Sequence, residues 1–208
     1  MRILVTADLH NDFEILYKII EILKKEKIDY LIILGDFSSF GDLKRGIIRK
    51  IINYINPKKV LVVPGNHETP DFIEFLERLY NIRGFHKKYM ILDNIALVGI
   101  GGGDLPLFMI SESEIKDFLK YISYKLKNYK IILFSHLPPA KTKTTFETSG
   151  SYEIVKFIEE KEPSLVIHGH IHELGGLDDI IKKTKIINAA RSIFIIELDR
   201  DKFNIRKI

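Results

Sequence analysis

Apolar residues recur along this chain with two distinct periods. RILVT, YLIILGD, KVLVVPGN, IILFSH and SLVIHGH are short β-branched runs that end abruptly in polar residues, the pattern of strands buried on both faces. Between them the spacing turns helical: in FEILYKIIEILKKEKI the apolar residues Phe13, Leu16, Ile19, Ile20 and Leu23 share one face. A helix is predicted from about 42 to 54, and another opens at Thr69 and Pro70, a cap followed by the residue suited to a first turn. Ser111 and Glu114 have capping-box spacing for a further helix, and SYEIVKFIEEKEP reads as one more.

The strand-helix-strand order of the early chain predicts a parallel sheet. KYMILD and IALVGIGGG meet at Asp93 and Asn94, a hairpin turn, and KIINAA, IFIIELD and KFNIRKI close the chain as strands. Two sheets enclosed by helices fit this order better than one sheet. With no internal repeat, low-complexity tract or break in composition, residues 1–208 read as a single domain.

Composition narrows the chemistry. At 46% hydrophobic and 29% charged the chain is of the folding, globular kind, and no apolar run is long enough to span a bilayer. The opening strand is too short for a signal-peptide core and lacks a small-residue cleavage site, so the expected location is the cytoplasm. The net charge of +4 is spread over helical lysines and reads as a solvated surface, only weakly attractive to anions. There is no cysteine, so a metal site here must use His, Asp, Asn or similar ligands.

Five apolar strands end in such groups. Asp8 and His10 follow the first at a spacing that sends both to one side; Asp36 follows the second; Asn66 and His67 follow VLVVPG; His136 follows IILFS; His170 and His172 follow LVIHG. Strand carboxyl ends frame the ligand crevice in α/β architectures, so residues far apart in sequence converge there. Each motif alone has a plain alternative as a turn or a structural histidine; the set of five does not. His168 is expected to support the ligands rather than join them, and His86 reads as a surface residue.

Taken in order, DLH, GD, GNHE, the histidine of SHLPP and GHIH resemble the calcineurin-like metallophosphoesterase superfamily, across residues 8 to 172. GDFSSFG, GIGGGDLP and the stretch from SHLPPAKT to GHIHE are similar to the small Icc-related phosphoesterases. Two departures stand out: Ser38 and Ser39 occupy the place where many members have a second Asp, and Asn188-Ala189-Ala190 replaces the usual Asn-Pro-Gly. The resemblance implies a four-layer α/β/β/α sandwich with two mixed β-sheets flanked by helices. It implies two divalent metal ions, one on Asp8, His10 and His172, the other on Asn66, His136 and His170, with Asp36 bridging. Mn is the first choice and Fe, Ni, Co or Zn suit the same ligands.

The implied activity is hydrolysis of a small phosphate ester, a diester before a monoester. A metal-bridging hydroxide would attack phosphorus in line while His67 protonates the leaving oxygen. Two other readings stay open in the sequence: a nuclease acting on nucleic acid, and a non-catalytic metal-binding interaction scaffold. The polar segment 141–150 and the glycines at 101–103 are candidates for a lid. Nothing in the chain indicates an oligomeric state.

Overall fold

The computed structural model describes residues 1–199 and 202–208. In chain order its elements begin β1 (Arg2–Thr6), α1 (Phe13–Lys25), β2 (Tyr30–Leu34), α2 (Ile47–Ile52), β3 (Val60–Val63), α3 (Pro70–Tyr80) and β4 (Arg83–Gly84). Then come β5 (Lys88–Leu92), β6 (Ile95–Ile100), α4 (Glu112–Lys125), β7 (Lys130–Ser135), α5 (Tyr152–Lys161) and β8 (Leu165–His168). The chain ends with β9 (Asp178–Ile181), β10 (Thr184–Asn188), β11 (Ile193–Asp199) and β12 (Lys202–Lys207).

The strands form two mixed six-stranded sheets, ordered β12-β11-β1-β2-β3-β4 and β5-β6-β7-β8-β10-β9. In the first, β1 to β4 run parallel and β11 and β12 extend the sheet antiparallel. In the second, β6, β7, β8 and β10 are parallel, with antiparallel edges β5 and β9.

Strand alternation distributes the core over three apolar layers. Leu4, Leu31, Ile33 and Val62 pack under α1, α2 and α3, beside Leu16, Ile19, Ile48 and Leu76. The intervening positions Ile3, Val5, Ile32 and Leu61 face the second sheet and meet Leu97, Ile132, Phe134 and Ile167. On the far side Val98, Leu133, Val166 and Ile186 lie against Ile115, Ile122, Ile154 and Ile158 of α4 and α5. Strands with apolar residues at every position are therefore needed, because both faces of each central strand are covered. The result is the expected α/β/β/α sandwich.

The predicted caps are present: Thr69 Oγ1 accepts from Phe72 N, and Ser111 and Glu114 close a reciprocal capping box. The predicted helix from 42 to 54 is cut to Ile47–Ile52. The reason is a competitor for its backbone: Asn11 donates to Asp42 O (2.8 Å) and accepts from Lys44 N (2.9 Å), and Gly46 is left-handed (φ 88°). The short edge strands β4 and β9 carry no strand periodicity of their own and were not expected from it.

Candidate metal centre

Because β1, β2 and β3 of one sheet and β7 and β8 of the other direct their carboxyl ends to one edge of the sandwich, the five polar termini meet. Asp8 Oδ1 lies 3.2 Å from His172 Nε2, which faces His10 Nε2 at 3.1 Å. Asp36 Oδ2 is 3.4 Å from His136 Nε2, 3.8 Å from His10 Nε2 and 3.9 Å from His67 Nε2. Asn66 Oδ1 sits 3.2 Å from His136 Nε2, and the His136 and His170 rings meet edge-on at 5.1 Å. All eight side chains singled out in the sequence are thus in one cluster.

The backbone at these positions is unusual. Asp8, His10, Asp36 and His170 all have positive φ (56°, 43°, 46° and 76°), a region that costs a non-glycine residue about 1–2 kcal/mol. Hydrogen bonds hold it: Asp8 N donates to Gly35 O (3.0 Å), His10 N to Asp36 O (2.8 Å), and His170 N to Asp8 Oδ2 (2.9 Å). Two glycines leave room for the carboxylates. A Cβ at Gly65 would stand 2.0 Å from Asp36 Oδ1, and one at Gly169 would stand 2.5 Å from Asp8 Oδ2.

The donor chemistry fits cations. Asp8 and Asp36 are buried, and imidazole nitrogens converge on their oxygens. Two sets, Asp8 with His10 and His172, and Asp36 with His136 and His170, each offer ligand atoms lying within 4.8 Å of one another; His10, Asp36 and His67 make a third grouping. Burial opposes the charge on Asp36, but His136 and the His67 backbone N–H hold its carboxyl far below the usual range. Burial likewise opposes protonation of His136, yet Asp36 and Asp8 lift it to about 10. The hydrogen bond to Asp8 raises His172, while burial lowers His10. A divalent ion would displace such protons.

His67 is oriented by the turn that follows Asp36. Phe40 N donates to its Nδ1 (3.0 Å), so a neutral ring carries its proton on Nε2, the nitrogen facing Asp36. The donor comes from the Ser38-Ser39-Phe40 segment as a backbone N–H rather than from a side chain.

Residues 1–174, the stretch that holds all eight side chains, match the profile of the calcineurin-like phosphoesterase family. The chain belongs to that family. No curated protein matches it at a significant level. Among solved structures, TT1561 of Thermus thermophilus superposes with a TM-score of 0.76 at 19% identity, covering 99% of this chain and 98% of that one. A dimetal phosphatase from Danio rerio aligns with a TM-score of 0.65 at 12% identity over 100% and 95% of the two chains. An archaeal phosphodiesterase aligns over the whole of both chains at 0.54 and 15%. At these identities the likeness is one of fold.

Several supporting residues of this family member carried no role in the sequence reading. Glu68, the last letter of GNHE, is fully buried and accepts four hydrogen bonds, from Asp36 N (2.8 Å), Gly65 N (3.0 Å), Ser38 N (2.9 Å) and Ser38 Oγ (2.7 Å). It ties the loop after β2 to the loop after β3. Burial, then the charge of Asp36, pushes its carboxyl up to about 7 against those donors. Asp104, the acid of GIGGGDLP, takes a 2.7 Å bond at Oδ1 with His170 Nε2 and a 2.8 Å bond at Oδ2 from Ser149 Oγ. The hydrogen bond to His170 holds its carboxyl well below the ordinary range. Nothing in the spacing of Asp104 announces this contact, which exists only because the loop after β6 folds over β8.

His168 is fully buried with Nε2 2.8 Å from Thr144 Oγ1, and burial lowers it to about 4. The surface reading of His86 is corrected: its Nδ1 accepts from Gly101 N (2.9 Å), its ring meets Phe108, and burial lowers it to about 4. Segment 141–150 is anchored rather than free, since Thr142, Thr144 and Thr145 are buried and Thr144 O accepts from Asn188 Nδ2 (3.3 Å). Asn188, at the altered Asn-Ala-Ala, also donates to Ile171 O and accepts from Ala190 N, clamping the segment that carries His170 and His172. Among the described residues no helix is long and apolar enough to cross a membrane.

Proposed function

We propose that this chain is a single-domain, dinuclear metal-dependent phosphoesterase, acting on phosphodiesters before monoesters. One observation carries the reading: two His/Asp sets lie side by side, with the buried Asp36 between them. Asp8, His10 and His172 would hold one ion, Asn66, His136 and His170 the other, and Asp36 both. When bound, the ions would supply positive charge for the phosphate oxygens and make hydroxide available near neutral pH. Mn is the first choice, and Fe, Co, Ni or Zn suit the same nitrogen and oxygen donors.

The protein's own part is charge balance, orientation and a proton. Only two of the seven ligands, Asp8 and Asp36, are anionic, so four cationic charges are not fully neutralised and the pocket favours a phosphate. His67 presents its Nε2 proton beside Asp36, where it would reach the leaving oxygen, and Phe40 N keeps that tautomer. Glu68 and Asp104 keep Asp36 and His170 in place. Preference for diesters draws support from the Icc-like segments and from the archaeal phosphodiesterase that shares the fold.

The test is hydrolysis of bis-p-nitrophenyl phosphate against p-nitrophenyl phosphate with Mn²⁺ supplied, beside an Asp36→Ala control. Faster turnover of the diester, lost in the control, is expected. Absence of turnover on both esters with metal bound would overturn the proposal, and faster monoester turnover would overturn the diester preference.

A further inference from the structure

The mouth of the site carries apolar side chains that phosphate chemistry does not use. Phe40 is 69% exposed, and its ring centroid lies 4.1 Å from that of His67 with 36° between the planes. It stands at the tip of a tight turn closed by Ser39 N to Asp42 O (3.1 Å) and Asp42 N to Ser39 O (2.9 Å). Both tip residues are left-handed, Phe40 at φ 49° and Gly41 at φ 76°. Asn, Asp or Gly suits such a position, whereas a bulky aromatic is disfavoured there. So neither the backbone nor burial in the fold accounts for a phenylalanine at position 40. A residue that departs from the local backbone preference beside a reaction centre points to a role in that centre.

A second loop with exposed apolar side chains is tied to the neighbouring residue Asn66. Leu107 N and Phe108 N both donate to Asn66 O (2.7 and 3.0 Å), so this loop and the Phe40 turn are attached to the adjacent residues Asn66 and His67. From it Leu107 and Met109 extend into solvent at 54% and 60% exposure. The shelf is continuous with the phosphate position through one ring: the Nε2 of His67 faces Asp36 and its ring lies against Phe40. A substituent on a phosphate held at Asp36 would therefore pass His67 and reach the open face of Phe40.

We propose that Phe40 is a specificity shelf that selects phosphate esters bearing a flat aromatic arm close to phosphorus. The inference rests on the phosphoesterase reading above. Aromatic stacking offers the gain, on the order of ten-fold in affinity for a well-placed ring. Because the shelf makes no hydrogen bond to its occupant, it selects for ring shape rather than for one substituent pattern.

The test is calorimetric titration of the Mn²⁺-loaded full chain with phenylphosphonate and methylphosphonate, in the wild type, Phe40→Tyr, Phe40→Ala and Phe40→Asn. The expected phenyl-to-methyl preference is about ten-fold in the wild type and Phe40→Tyr and falls toward one in the other two. Phe40→Asn should at the same time raise the urea midpoint, as the left-handed turn is relieved. A wild-type preference near one, or one that survives in Phe40→Ala, would overturn the shelf and leave the phosphoesterase reading intact. A lower midpoint for Phe40→Asn would make Phe40 a structural residue and overturn the shelf likewise. Failure of both phosphonates to bind the Mn²⁺-loaded wild type would remove the anion site, and both readings with it.

Discussion

Replacing Glu68 tests how the site is held together. Its carboxylate is fully buried and meets four donors, three of them backbone N–H groups. Each buried donor left without a partner costs about 1–3 kcal/mol. In Glu68→Ala all four are stranded, and even the low end of that range gives about 4 kcal/mol, a large part of the ~5–15 kcal/mol that holds a domain together. Glu68→Gln should cost less. Its amide oxygen can serve Asp36 N and Gly65 N, while its NH₂ faces Ser38, whose hydroxyl can rotate to accept; one donor, Ser38 N, is then stranded, at about 1–3 kcal/mol. Ser38→Ala removes one of the four bonds and should cost about 1 kcal/mol.

The assay is urea unfolding at pH 8 with chelator present, so that metal affinity does not enter the stability. The expected order of loss is Glu68→Ala, then Glu68→Gln, then Ser38→Ala. A Glu68→Ala variant within about 1 kcal/mol of wild type would refute the reasoning, since it would mean that solvation of the donors together with relief of the buried charge beside Asp36 offsets the four lost bonds. Equal losses for Ala and Gln would refute the rotation argument alone.

His67→Ala should still bind two ions, seen by metal analysis, yet lose on the order of 10²–10⁴ in turnover of alkyl diesters and much less with p-nitrophenol as leaving group; undiminished alkyl diester hydrolysis would remove His67 as the acid. Asp104→Ala should weaken one of the two Mn²⁺ affinities by about 10–100-fold, since the carboxylate orients His170, and calorimetry showing both affinities unchanged would exclude that role. The buried His168 makes stability depend on acid. Its folded pKa, about 4, lies below the unfolded 6.5, so below 6.5 the unfolded chain takes a proton that the folded chain refuses. The stability difference between wild type and His168→Gln should therefore shift against the wild type by about 1.4 kcal/mol per unit as pH falls from 6.5 toward 4. Taking the difference removes Glu68, whose raised pKa acts in the opposite sense, and a pH-independent difference would show that His168 titrates normally.

Much of this architecture was legible because it is local or periodic. Doubly apolar runs gave the central strands, helix spacing gave α1, and cap residues set the starts of α3 and α4. The helix over 42 to 54 was misjudged because Asn11, remote in sequence, occupies the backbone of Asp42 and Lys44. His86 was misread for the same kind of reason, since its partners Gly101 and Phe108 arrive from beyond the hairpin.

The sequence by itself determined which residues could meet at the centre. A polar group placed just after a strand buried on both faces has to emerge at the edge of the sheet, so strand ends and residue types sufficed to select eight side chains. Only the tertiary structure decided how they are held and what surrounds them. Glu68 joining two loops, Asp104 reaching His170, Phe40 N fixing the proton of His67 and an exposed ring standing over it are contacts between segments far apart in the chain. Hydrogen bonding and stacking act over a few ångströms of space whatever the separation in sequence, so no spacing along the chain records them until the two sheets have packed.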